Sequence, residues 1–209
     1  MILPTKDLEK KLFKSGYDRV IGVDEVGVGC LAGPVVACAI SFSPEFYNTY
    51  NQTTKKFQGL RESKLLSPQQ REKFMTELLG QKYKIGLCYP KKIDTINIYH
   101  ATHEAMRSAI KNISLKKTRT IVLVDGNKKI KNLKFDQQAI VKGDQKVFAI
   151  ACASVIAKVY RDRMMVQYAK RFPGYAFEQH KGYSTKAHQD ALNRLGPCLI
   201  HRRSFRLKY

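Results

Sequence analysis

The chain has 209 residues, 38 Lys and Arg against 17 Asp and Glu, and a formal charge of +21; 44% of its residues are hydrophobic and 26% charged. That apolar share supports a substantial core and excludes disorder over most of the length. The charge excess points to a polyanionic partner, nucleic acid first, with a membrane surface or a ribosome-bound structural role as the other readings.

Met1 to Gly16 has no uninterrupted apolar core, so no secretory leader is expected. Within it, Asp7 to Gly16 reads as a short amphipathic helix ended by Ser-Gly. Arg19 to Asp24 and Val35 to Phe42 are β-rich runs joined by a glycine-rich turn that Pro34 closes. The longest mostly apolar run, Cys30 to Phe42, is broken by Gly33 and Pro34 and is well short of the ~20 residues that span a bilayer. Residues 43 to 63 are polar and irregular. Ser67 then caps a helix with Pro68 at its first position, running to about Leu79 and stopped by Gly80.

Lys82 to Tyr89 is a third strand. From Ile98 to Ile113 apolar residues recur with a 3.6 period, predicting an amphipathic helix over 95–113. Arg119 to Asp125 is a buried strand, and Gln138 to Asp144 a further short strand reaching a Gly-Asp turn. The longest helix covers about Phe148 to Arg171, apolar first and basic later, and Thr185 to Leu195 is the last helix. Strands in both hairpin-like and helix-linked order predict an α/β layer with a mixed sheet. The cysteines, Cys30, Cys38, Cys88, Cys152 and Cys198, form no CxxC pair and read as free thiols of a cytoplasmic protein.

Acids stand at the strand ends beside glycines: Asp24 and Glu25, Asp125 before Gly126, and Asp144 after Gly143. In an open α/β sheet, loops leaving strand ends form the ligand crevice. Acids gathered there repel one another unless a cation intervenes, and Mg²⁺ or Mn²⁺ takes carboxylate oxygens while keeping waters and phosphate oxygens. Two such ions roughly 3.5–4 Å apart would activate water and stabilise a leaving 3′ oxygen. An Asp before Gly is also a common turn former. Adjacent Asp24 and Glu25 point to opposite faces of a regular strand, so one shared metal requires an irregular strand end.

Ser154, Lys158 and Asp162 stack on one helix face. They form either a Lys–Asp surface pair or a polar stripe that brings Lys158 to a phosphate. His180, His188 and His201 lack a metal-ligand spacing. Tyr183, in a Gly/Ser turn after a basic patch, fits stacking on a sugar or base and core packing equally.

The stretch "GVDEVGVGCLAGPVV" (Gly22 to Val36) resembles the opening block of the type 2 ribonucleases H, bacterial ribonuclease HII in particular. "ESKLLS", "INIYHATHEAM", "VLVDGN", "VKGD", "ASVIAKVYRDR", "HKGYSTKAH" and "HRRSF" follow in the family's order, from about Gly16 to Phe205. The resemblance implies a ribonuclease H-like fold, a mixed five-stranded sheet flanked by helices, over a core of about 17–172, with a helical C-terminal part over about 173–209. It implies one catalytic domain acting as a monomer, with Asp24, Glu25, Asp125 and Asp144 as metal ligands and Asp162 as a supporting acid. Gly27, Val28 and Gly29 would meet the nucleotide at the RNA–DNA junction, Ser63 and Lys64 would approach phosphates, and Tyr183 would sense the 2′-hydroxyl.

The implied reaction is metal-dependent hydrolysis of the RNA strand of RNA–DNA hybrids, and incision 5′ to single ribonucleotides in duplex DNA for ribonucleotide excision. The ends left are 3′-OH and 5′-phosphate. Val28 replaces the family's usual arginine and Cys30 its usual proline, so junction incision is expected to suffer more than hybrid cleavage. Ribonuclease HIII lacks that arginine too, but carries an N-terminal substrate-binding domain that the 16 or so residues before the match are not expected to supply. The rival expectation is a basic nucleic-acid binder on the same fold with weakened catalysis.

Overall fold

The computed structural model describes residues 3–48, 56–113 and 119–205. Met1, Ile2, residues 49–55 of the irregular stretch, residues 114–118 and 206–209 of the basic tail lie outside the described residues. The strands are β1 (Arg19–Val26), β2 (Val35–Phe42), β3 (Lys82–Cys88), β4 (Thr120–Asp125) and β5 (Asp136–Ile140). They form one sheet in the order β3-β2-β1-β4-β5, antiparallel on the β3-β2-β1 side and parallel across β1-β4-β5. The sheet is mixed, as the alternation of hairpin and helical connections predicts.

The helices are α1 (Asp7–Lys14), α2 (Pro44–Asn48), α3 (Pro68–Leu78), α4 (Pro90–Lys111), α5 (Gly143–Lys146), α6 (Phe148–Arg171), α7 (Phe177–His180) and α8 (Lys186–Leu195), with a 3₁₀ turn at Ser63–Leu65. Strand periodicity of two sorts the core into two layers. Val20, Cys38, Ile40, Ile121 and Leu123 face α6, whereas Ile21, Val23, Ala37, Val122 and Val124 face α4. Gly22 is required because a Cβ there would stand 2.2 Å from the Ala149 backbone, so α6 starts directly against β1. Glu9 of α1, fully buried, accepts the Ala149 N–H at 2.9 Å and caps that helix from outside.

The long helix has the bounds its apolar-then-basic pattern predicts. Ser67 and Gln70 form a reciprocal capping box at α3. Four differences have local causes. The helix expected over 95–113 begins at Pro90, whose fixed φ suits a first turn. Asn97 interrupts it at φ 63°, and its Oδ1 accepts the His100 N–H to start a second segment; the apolar period marks that segment alone. The last strand ends at Ile140 instead of reaching Asp144, because Gly143 turns back so that its N–H meets Asp125 Oδ1 at 2.7 Å. Part of the stretch expected to be irregular is helical in α2, whose Phe46 and Tyr47 pack on Phe42 and Phe148. α7 is a single turn, too short for a periodic signal. All cysteines are free thiols, four buried and Cys198 half-buried. Among the described residues no helix is long and apolar enough to cross a membrane.

Candidate active site

One end of the sheet opens into a 210 Å³ cavity lined by Asp24, Glu25, Asp125 and Asp144. The glycine loop 27–29, Ser63, Lys64, Ser154, Lys158 and Tyr183 complete its wall. Four elements converge here: β1 delivers the first two acids, β4 the third, α5 the fourth, and α6 the polar stripe.

The strand carrying Asp24 and Glu25 is regular. Asp24 pairs with Cys38, Glu25 with Ala37 and Val26 with Val36, so the expectation of an irregular strand end is corrected. Asp24 shares the parity of the α6-facing residues and Glu25 that of the α4-facing ones. Glu25 nonetheless borders the cavity, and also a 330 Å³ cavity on the α4 side with Tyr99, His103 and Met106. The ladder to β4 stops at the Val23–Val124 pair, so beyond it β1 is open on that side and Glu25 borders both cavities.

Electrostatics follow from this crowding. Burial, then the charges of Glu25 and Asp125, raises the Asp24 carboxyl well above the usual range. Burial, then Asp125, pushes Glu25 up to about 7. Burial, then Asp125 and Glu62, pushes Asp144 up to about 6. In metal-free protein the folded Glu25 therefore holds its proton to about pH 7, against an ordinary value of 4.5. Between those values the folded state binds more protons than the unfolded one, and stability falls as pH rises. Glu25→Gln removes this penalty. In EDTA it is expected to raise the melting temperature by about 4–8 °C at pH 8 and by about 1 °C or less at pH 5, measured by scanning fluorimetry. Equal shifts at both pH values would contradict a strained, ionised Glu25.

Hard oxygen donors only, partly deprived of water and repelling one another, suit a divalent cation and little else. Among the described residues no three Asp, Glu, His or Cys groups already converge on one ion position. Asp24 Oδ1 instead accepts the Glu25 N–H at 2.7 Å, and Asp125 Oδ1 the Gly143 N–H. The donor chemistry fits such an ion; Asp125 retains a second carboxylate oxygen, and the Asp24 carboxylate also hydrogen-bonds the Ser154 side chain.

The supporting residues are placed unevenly. Ser154 Oγ donates to Ser63 Oγ at 2.9 Å, both side chains buried, while Lys64 is exposed. Lys158 lines the cavity and also pairs with Asp162 at 2.8 Å, both side chains mostly buried, so the pair is not a surface one. Asp162 itself stands outside the cavity, held by Lys158 and by Arg71 at 3.6 Å. Tyr183 is half-buried, with Lys158 Nζ 5.5 Å from its ring centre; burial, then Cys30, pushes its hydroxyl up to about 12. Its hydroxyl is a protonated donor, not a base, and the residue borders the cavity. Sequence reasoning gave no role to Glu62, whose Oε2 accepts from Gln145, or to Arg161 and Arg202. The arginines stand in the "YRDR" and "HRRSF" blocks, but basic residues are too common in this chain to single them out.

The sheet order, the helices on its two faces and the acidic cavity at the strand ends define a ribonuclease H-like fold. A ribonuclease H2 from Pyrococcus horikoshii shares it, with a TM-score of 0.72 at 24% identity over 90% of this chain and 94% of that one. So does a ribonuclease HIII, Bst-RNase HIII, solved in complex with Mn²⁺: its TM-score is 0.61 at 15% identity, over 87% of this chain and 64% of that one. The family model for ribonuclease HII matches residues 21–208. A ribonuclease HII of Caldicellulosiruptor bescii is 46% identical over 95% of this chain and 92% of its own length. The chain belongs to the ribonuclease HII family and is an endoribonuclease of the ribonuclease H type.

Proposed function

We propose that Asp24, Glu25, Asp125 and Asp144 hold two divalent ions, Mg²⁺ or Mn²⁺, for the hydrolysis of the RNA strand of RNA–DNA hybrids that membership of this family assigns to the chain. When bound, such ions supply a more acidic water and neutralise charge on the leaving 3′ oxygen. One observation carries the reading: all four acids, the glycine loop and Tyr183 line a single cavity in a chain of net charge +21.

The surrounding groups divide the remaining work. Lys64, exposed at the rim, and Ser63 approach the phosphates flanking the scissile bond. Lys158, fixed by Asp162, brings positive charge to the same wall. Tyr183 offers its ring to the ribose and its hydroxyl to the 2′-OH, the group that DNA lacks. Water attacks the phosphorus, the 3′ oxygen leaves with a proton, and the ends are 3′-OH and 5′-phosphate. Incision 5′ to a single ribonucleotide in duplex DNA is the weaker activity, because Val28 gives the loop no guanidinium. The C-terminal helices pack on the chain just after this loop through Leu31, Ala32, Phe177 and Leu192, which supports one catalytic unit; it acts as a cytoplasmic monomer.

The test is incubation with a uniform RNA–DNA hybrid, and with duplex DNA holding one ribonucleotide, with and without Mn²⁺. Metal-dependent cleavage of the hybrid into 5′-phosphate ends is expected. A chain that bound both substrates and cut neither would be a nucleic-acid binder, and the catalytic reading would fail.

A further inference from the structure

Two arginines unused by this chemistry, Arg161 and Arg202, are among the largest fully buried side chains. A buried guanidinium is costly unless its N–H groups are matched. Among the described residues no carboxylate stands within ion-pair distance of either. Both are matched by backbone carbonyls instead. Arg202 donates from Nε to Gly33 O at 3.0 Å, from Nη1 to Val28 O at 2.8 Å and from Nη2 to Gly27 O at 2.6 Å. Arg161 donates to Pro34 O at 3.1 Å, Ala32 O at 3.0 Å and Lys181 O at 2.8 Å.

The loop therefore turns its carbonyls inward onto cations. In a trans peptide the C=O and the following N–H point in opposite directions. With the Gly27 and Val28 carbonyls on Arg202, the N–H groups of Val28 and Gly29 point away from it, and Gly27, Val28 and Gly29 all line the acidic cavity. Gly27 at φ +92° makes the turn; a Cβ there would stand 2.3 Å from Arg161 Nε. Successive N–H groups in a glycine turn, with positive charge behind their carbonyls, form an anion site.

We propose that Arg202 is a positioning residue that aims the Val28 and Gly29 N–H groups at a phosphate oxygen of the ribonucleotide strand, an inference that rests on the nuclease reading above. The guanidinium grips residue 28 by its carbonyl, so this contact is indifferent to the side chain there. It preserves the backbone half of the loop's recognition in a chain that lacks the loop arginine. Lysine keeps the charge but cannot span three carbonyls from one nitrogen.

The test compares the wild type with Arg202→Lys on hybrids carrying one neutral methylphosphonate linkage, moved stepwise past the cleavage position. On the unmodified hybrid, Arg202→Lys should raise KM about tenfold and change kcat less than about twofold. The linkage that costs the wild type about tenfold should cost the variant less than about threefold, because both changes remove one contact. Penalties that multiply in full would show that Arg202 only holds the fold, and would overturn the proposal. If Arg202→Lys does not fold, ¹⁵N-labelled wild type decides. The Val28 and Gly29 amide signals should shift on adding hybrid without metal, less so with the critical methylphosphonate, and unmoved signals overturn the proposal. Failure of the wild type to cut the unmodified hybrid would strike the nuclease reading alone.

Discussion

Asp24→Asn is expected to lower single-turnover hybrid cleavage by about 10³-fold or more while leaving hybrid affinity within about threefold. Asp24 is the most buried of the four acids, 5% exposed, and its carboxyl is raised by burial and by Glu25 and Asp125. Asparagine has the same shape and can still accept the Glu25 N–H, so β1 and its pairing with Cys38 stand unchanged. What disappears is one unit of negative charge and one anionic oxygen. A cation loses a ligand, whereas a polyanionic substrate loses a repulsion, so catalysis and binding move in different directions. Cleavage and fluorescence anisotropy on the same preparation measure both. Wild-type cleavage by Asp24→Asn would refute the ligand assignment.

Val28→Arg is expected to raise kcat/KM at a single ribonucleotide in duplex DNA by about tenfold or more, an energy of about 1.5–3 kcal/mol for one charged hydrogen bond. Cleavage of a long hybrid should rise less than about threefold. Val28 is 37% exposed and borders both cavities beside the acids, so a longer side chain has room to reach a phosphate without entering the core. A long hybrid presents ribonucleotides throughout, and the loop contact is one of many. A lone ribonucleotide offers a single register, so each contact weighs more. Equal gains on both substrates would show that the added charge acts by general attraction, and would remove the junction-specific role of this position.

The core of this fold is legible wherever a pattern repeats. α6 has the length its apolar-then-basic sequence indicates, and β1, β2 and β4 stand where their β-branched runs place them. The acids were findable because each stands near a glycine at or just past a β-rich run, although β1 runs on to Val26 and Asp144 lies in the short helix α5. Their mutual geometry was not, since a parity argument sees the faces of a sheet but not the place where a ladder stops. Glu25 shows this, on the α4 face by register and yet bordering both cavities. Asn97 escaped notice because the apolar period on its C-terminal side is strong enough to hide a broken helix before it. Arg161 and Arg202 escaped for a different reason. Among 38 basic residues, two that satisfy backbone carbonyls look like any others until their burial is known.

The Arg202 grip joins residues 174 and 175 positions apart. A chain emerging in order of synthesis has β1, β2 and the glycine turn long before the guanidinium that backs them. Contacts this distant close late and slow folding. The acids can gather early, but the glycine turn beside them acquires its inner support only once residue 202 has been made. The loop bordering the acids is thereby secured by a residue far along the chain, so its final shape is set by a late long-range contact and not by the hairpin it belongs to.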